Sequence, residues 1–321
     1  MDQAEHQAHL KRFAHLKPHD GLAAFWVLRV AALLAVAGWL SQAPVGPGWL
    51  LGQALMALGM LQAFFILHET GHRHYFRRGW ANVVVGHLAS VFAFVPFTPW
   101  RTLHGEHHVW TGWRRHDPTL TGVRPGRLAT PFRLFVDLCW ACWIPIFTFA
   151  FGVLNFWNLP RLWRAHPGGA DRAWHTLSVA WLLAVYGLAG WLAGSWVVHT
   201  FALGALGYFV LSDPLLLSQH AHMPIREPGD EAVQPNRLWE QDGVTRSIVF
   251  PRWFSRHVLL NFDAHILHHL FPHIPSYQMD PLFAEVRTVN TIDWWTWLKA
   301  AKRTPGHVLL FQSREETGYT W

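Results

Sequence analysis

Residues 67–74 read LHETGHRH, and they close an apolar run that begins near residue 49. A run of that length is a candidate membrane span, so its histidines stand where a span meets the polar side. His68, Glu69 and His72 fit H-E-x-x-H, the zinc-binding pattern of metalloproteases. The same residues fit the looser H-x-x-x-H, a ligand pair open to other metals. On a helix, positions four apart share one face, which suits either chemistry. The rest of the chain has to decide.

Composition points to a membrane protein. Of the 321 residues, 51% are hydrophobic and 14% charged. The apolar excess lies in long runs, the membrane signature. Tryptophans flank these runs (Trp49, Trp80, Trp100, Trp174), where interfacial rings belong. The net charge of +6 comes from Lys and Arg in the loops between runs, so it reads as membrane orientation. No basic patch with interleaved aromatics and no nucleic-acid motif occurs, and no nucleic-acid partner is expected. Cys139 and Cys142 form C-x-x-C inside an apolar stretch, where two small buried side chains are expected rather than a redox pair. Residues 1–20 mix acids, bases and histidines with no apolar core. They read as a solvated N-terminal segment, not a cleaved signal.

Six apolar segments are visible, near 22–40, 49–67, 82–98, 132–156, 174–193 and 196–217. The loop at 41–48 and the joint near Gly194 carry no charge, whereas the other loops are basic. The positive-inside rule puts the basic loops in the cytoplasm. Segments 22–40 and 49–67 then form one hairpin, and 174–193 with 196–217 a second. Segments 82–98 and 132–156 have basic flanks at both ends and are expected to enter the inner leaflet and return. The prolines of VPFTPW (95–100) suit a break at the end of the first, and Asp137 and Pro145 mark the second.

The 23 histidines cluster. LHGEHHVW supplies His104, His107 and His108, and NFDAHILHHLFP supplies His265, His268 and His269. Both are H-x-x-H-H, which on a helix aims three imidazoles one way. LSQHAHMP adds His220 and His222. One such match is weak evidence, but two with an upstream H-x-x-x-H make a metal site the expectation. All clusters fall on one side of the membrane in the topology drawn from Lys and Arg alone. Eight or nine imidazoles are too many for one zinc. They fit two metals with open positions, and iron is the available metal that also performs oxygen chemistry. Glu69, Glu106, Asp117 and Asp263 are placed to orient ligand histidines.

HETGH (68–72), HGEHH (104–108) and HILHH (265–269) resemble, in order and spacing, the three histidine boxes of the membrane fatty acid desaturase and hydroxylase superfamily. HILHHLFPHIPSY (265–277) is especially similar to the third box of acyl-lipid desaturases. LSQHAHMP (217–224) resembles their additional histidine motif. The resemblance runs from about residue 22 to about 285. It implies an all-α integral membrane fold of four transmembrane helices in two hairpins, with interfacial or re-entrant helices and a cytoplasmic histidine-rich cap. One domain would cover 1–321: a cytoplasmic segment 1–21, a core 22–285 and a cytoplasmic tail 286–321. It further implies that His68, His72, His104, His107, His108, His265, His268 and His269 form the catalytic iron-ligand set, with His220 or His222 as a ninth ligand. Asn261, four residues before His265, is a weaker candidate for holding a water near a metal.

The expected reaction is O2-dependent oxidation of an unactivated C–H bond in a fatty acyl chain by two non-haem irons, introducing a double bond. A hydroxylase, a carotenoid-type oxygenase or a terminal-alkene-forming decarboxylase would use the same scaffold. An intramembrane zinc protease built on His68, Glu69 and His72 would leave both H-x-x-H-H clusters without a purpose. His166-Pro167-Gly168-Gly169 looks like a cytochrome b5 haem motif, but it sits in a short loop with no room for that domain. No dinucleotide fingerprint is present, so electrons are expected from a ferredoxin- or cytochrome-type donor with its reductase. The expected location is a bacterial inner membrane, multi-pass, with the histidine site on the cytoplasmic side.

Overall fold

The computed structural model describes residues 1–120, 128–227 and 233–318, without the side chains of 314 and 315. It is mostly helical. In chain order the helices are α1 (Gln3–Arg12), α2 (Asp20–Leu40), α3 (Pro47–Gly71), α4 (Gly79–Ala93), α5 (Phe97–Trp110), α6 (Thr130–Ala141), α7 (Phe147–Asn155), α8 (Leu159–Ala165), α9 (Gly169–His220), α10 (Arg252–His257), α11 (His265–Leu270), α12 (Asp280–Glu285), α13 (Trp294–Arg303), α14 (Gly306–Phe311) and α15 (Arg314–Thr317). Two three-residue strands, β1 (Ser247–Val249) and β2 (Thr291–Asp293), pair in parallel. Among the described residues this small sheet is a minor addition to the helical fold that the sequence led one to expect. Strands of three residues are too short to show a period-two pattern in sequence.

The chain divides into two compact units. The first, apolar unit comprises Pro18–Thr102 and Phe147–Ser212. Here α2 packs on α3, and α3 on α4. Close approach is bought with small residues, as in other membrane bundles: a Cβ on Gly59 would stand 2.6 Å from Leu34, and one on Gly204 2.7 Å from Met56. Several polar side chains inside are paired. Gln53 donates to Ser41 Oγ (2.9 Å) and Thr200 O (2.9 Å) and accepts from Gly204 N (2.8 Å). Arg29 donates to Gln62 Oε1 at 3.1 Å.

Among the described residues, α2, α3 and α9 are long and apolar enough to cross a membrane, and the bent pair α4–α5 is a fourth candidate. At 1.5 Å per residue, α9 would be about 78 Å long if straight, far beyond an apolar core of about 30 Å. It is broken at Ala193 (φ −151°, ψ 40°), beside the joint read from sequence near Gly194. The pair α4–α5 bends by 99°, with Phe94 left-handed (φ 56°) before Pro96. Segment 132–156 is split into α6 and α7 around Pro145, each too short to span. Gly86 gives way to the Phe97 ring: a Cβ there would lie 2.2 Å from it. Gly86→Ala is therefore expected to destabilise the fold by about 1–3 kcal/mol, read as a lowered thermal midpoint in detergent. An unchanged midpoint would mean that Phe97 swings aside at no cost.

The second, histidine-rich unit comprises Met1–Lys17, Leu103–Ile146 and Asp213–Trp321. Its core is built around α11. Ile266, Leu267, Leu270 and Phe271 are buried with Phe13, Ile274, Met279 and Leu282. The N-terminal segment is not the solvated tail that its polar composition suggests. His6 Nε2 bonds to Leu270 O at 2.9 Å, its ring stacks on Phe271 at 5.1 Å, and Phe13 is buried. His6, Leu10 and Phe13 form a helical stripe too sparse to stand out against seven charged or histidine neighbours in the same stretch. Residues 286–311 also dock. Trp140 Nε1 donates to Ala301 O at 2.9 Å. Lys302 lies between the Trp140 and Trp143 rings, at 3.9 and 3.8 Å. Asp137, odd in an apolar segment, accepts from His307 N at 2.9 Å and pairs with His307 Nδ1 at 2.8 Å.

Candidate metal centre

Three elements of the histidine-rich unit supply its imidazoles. The helix α5 carries His104, His107 and His108, the C-terminus of α9 carries His220, and α11 carries His265, His268 and His269. On α11 the i, i+3, i+4 spacing keeps the three rings on one face, while Ile266, Leu267 and Leu270 anchor the other in the core.

The nitrogens converge on two foci. At the first, His220 Nε2 lies 3.2 Å from His107 Nε2 and 2.5 Å from His265 Nε2, and His265 Nε2 lies 3.0 Å from His269 Nε2. All four ligand atoms fall within 4.8 Å of one another. At the second, His108 Nε2 lies 3.1 Å from His104 Nε2 and 3.2 Å from His268 Nε2. The rings of His108 and His269 stack at 4.1 Å between the foci.

The hydrogen-bond partners fix what these nitrogens present. His107 Nδ1 stands 3.0 Å from both carboxylate oxygens of buried Asp117. Asp117 is itself held by Gly112 N (3.2 Å), Thr119 N (2.9 Å) and Thr119 Oγ1 (2.7 Å). A carboxylate only accepts, so Nδ1 carries the proton and Nε2 turns a lone pair to the focus. His269 is set likewise. Gln241 Nε2 donates to His108 O, which turns Gln241 Oε1 toward His269 Nδ1, each at 2.5 Å. Burial, and then the neighbouring imidazoles of His108, His265, His220 and His107, push the His269 pKa well below its ordinary value. The ring is held neutral, which is the ligand form.

Converging lone pairs without intervening protons repel one another, and a central cation removes that cost. Bonds of about 2.1 Å to one ion place adjacent imidazole nitrogens about 3 Å apart, close to the spacing here. An all-imidazole set suits Zn, Cu, Fe or Ni, so the residues fit a first-row metal at each focus.

In the apolar unit, His68 near the end of α3 and His72 at its C-cap have ring centroids 5.2 Å apart. His68 also faces Trp100 at 5.4 Å, and its Nδ1 is 3.3 Å from Glu69 Oε1. His222 stands outside the nitrogen foci. It is left-handed (φ 59°) and shares a 2.9 Å hydrogen bond with Thr317 Oγ1. Asn261 spends its amide on structure, donating to Ser276 O at 2.8 Å and accepting from Arg252 and Ser255, each at 3.3 Å. Of the acids singled out from sequence, Asp117 and Glu69 stand against ligand-type rings. Asp263 instead accepts from Ser255 Oγ at 2.7 Å, and burial pushes its carboxyl up to about 6 against that bond. His116 lies on Trp110, with ring centroids 4.8 Å apart. Gln241 was missed by sequence reading. It lies 28 residues before His269 in a polar stretch, and no spacing rule marks it.

The family described as fatty acid desaturase matches residues 44–291. An sn-1 oleoyl-lipid 12-desaturase of Picosynechococcus sp. is 28% identical over 80% of this chain and 72% of its own length. An sn-1 acyl-lipid omega-3 desaturase (ferredoxin) of Nostoc sp. is 24% identical over 79% of this chain and 70% of its own. A chloroplastic omega-6 fatty acid desaturase of Brassica napus is 25% identical over 73% and 54% respectively. The family match spans both H-x-x-H-H clusters, which the zinc-protease reading left idle.

Proposed function

The chain belongs to the fatty acid desaturase family and is an oxidoreductase, and from that premise we propose that it introduces a double bond into an acyl chain carried by a membrane lipid. Two irons are the proposed cofactor. His107, His220, His265 and His269 would hold one. His104, His108 and His268 would hold the second, and His68 and His72 are proposed as ligands on the histidine-box resemblance of HETGH alone. When bound, such a pair supplies the oxidising power to attack an unactivated C–H bond with O2.

The observation that carries the reading is the four-nitrogen focus at His107, His220, His265 and His269, all within 4.8 Å. The chain's own residues position and prepare the donors. Asp117 and Gln241 hold ring protons on Nδ1, so each Nε2 stays free for metal. The buried apolar face of α11 fixes the direction of its three rings. Removing one hydrogen from each of two adjacent carbons and reducing O2 to two waters consumes two further electrons and two protons. An external electron carrier supplies the electrons. The relatives' names support a lipid-linked substrate, and one names ferredoxin.

The proposed placement is multi-pass in a bacterial inner membrane. The spans are α2, α3 and the two arms of α9, in two hairpins, with the histidines on the cytoplasmic side. Three apolar helices and the basic loops support it. Protein purified in detergent is expected to carry about two irons per chain. Lipids incubated with it, O2, ferredoxin and reductase should gain one double bond per acyl chain, read by mass spectrometry. Zinc in place of iron, with no change in the acyl chains, would overturn the reading. A hydroxylated product would move the enzyme to the hydroxylase branch of the same scaffold.

A further inference from the structure

We infer that the corner built from β1, α10 and the start of α13 is the docking surface for a small acidic one-electron carrier protein. The inference rests on the proposed function, because it names where the required electrons enter. Large apolar side chains are bare at this corner. Trp253 is 65% exposed, Trp295 63% and Val249 49%. They belong together: Val249 pairs with Asp293 in the sheet, and the Phe250 and Trp294 rings meet at 5.2 Å. Phe254 links Phe250 (5.2 Å) to Trp253 (5.6 Å). Exposed aromatic anchors of this kind are enriched in protein interfaces.

The surround is cationic. Arg252 and Arg256 flank Trp253 on α10, and Lys299 and Arg303 follow Trp295 on the exposed face of α13 at i+4 and i+8. The nearby acids are engaged. Asp280 is paired with Arg252 and Arg256, and Asp293 caps α13 by accepting from Trp295 N and Thr296 N, each at 3.0 Å. Four cations against these two carboxylates leave the surface net positive, complementary to an acidic partner.

An anionic bilayer surface would also accept tryptophans and cations. The route inward favours the carrier. Ser255, next to Phe254, donates to Asp263 Oδ1 at 2.7 Å, and Asp263 lies two residues before the proposed ligand His265. Ile248 N donates to Asp263 O at 3.1 Å, and Ile266 N to Ser247 Oγ at 2.9 Å. The exposed aromatic layer thus sits one hydrogen-bonded layer from the third histidine cluster. Each carrier would arrive reduced, give one electron and leave oxidised, two per turnover.

The test uses full-length enzyme in nanodiscs and a small acidic [2Fe–2S] ferredoxin as probe. Trp295→Ala and Lys299→Glu are each expected to weaken its binding on the order of tenfold at low salt. Iron content and single turnover driven by dithionite should not change. Equal affinity for wild type and both variants, or no binding by wild type, overturns the inference. So does a nitroxide on Trp295→Cys, in a Cys142→Ser background, that reports lipid headgroups with and without ferredoxin; the surface would then belong to the membrane. Failure of the proposed function reads differently: dithionite-driven enzyme would make no double bond, whatever the ferredoxin affinity.

Discussion

His220→Ala should lose about half of the bound iron and at least about a hundredfold in turnover, while His222→Asn should keep both. The two histidines are two residues apart in LSQHAHMP and indistinguishable by spacing. Their surroundings differ. His220 Nε2 stands 3.2 and 2.5 Å from the nitrogens of His107 and His265, so its removal opens one focus to three donors. His222 is turned aside by its left-handed backbone toward Thr317. Asparagine tolerates that conformation and retains a polar side chain for the Thr317 hydroxyl. Metal analysis by mass spectrometry, with acyl-product assays on the same preparations, separates the two. Iron lost from His222→Asn and kept by His220→Ala would reverse the assignment.

Asp117→Asn is expected to lower iron affinity 10–100-fold with little effect on folding. The shape of the side chain is kept, as is an oxygen for Thr119 N or Gly112 N. What changes is the face toward His107. A carboxylate accepts from Nδ1–H, whereas the amide can present its NH2 there and force the ring proton to Nε2. The lone pair then points away from the focus. Iron retained through a chelator titration separates this effect from a folding defect, which circular dichroism of the same variant would show. Wild-type retention in Asp117→Asn would mean that Asp117 serves only the turn around Gly112.

Much of the histidine clustering was legible in the sequence because spacing on a helix sets the direction of side chains. His104, His107 and His108 share one helix, and i, i+3, i+4 leaves them little freedom in direction. The third cluster follows the same rule on α11. Apolar run lengths and prolines likewise located the break in α9 and the bend between α4 and α5. Gln241 was not legible, because its relation to His269 is purely tertiary. The different surroundings of His220 and His222 were hidden for the same reason: one positive φ turns His222 toward Thr317. The packing of α1 was obscured by its own polarity, since a histidine can be a buried ring as well as a solvated one. Asp137 looked like a flaw in an apolar segment until His307, 170 residues away, supplied its partner.

The helix that carries the third cluster is six residues long. Isolated helices shorter than about 12–15 residues do not persist in water, so α11 depends on what grips it from both sides. On one side is the apolar core with Phe13, and on the other the imidazole foci. With the foci filled as proposed, iron loading and local folding would be one equilibrium. A chain that has not acquired metal would open first at Leu267, Leu270 and Phe271, and so show quality-control proteases an apolar segment. Amide hydrogen exchange on metal-free and loaded protein would show the difference at residues 265–271. The lifetime of this enzyme in a cell would then track the supply of iron.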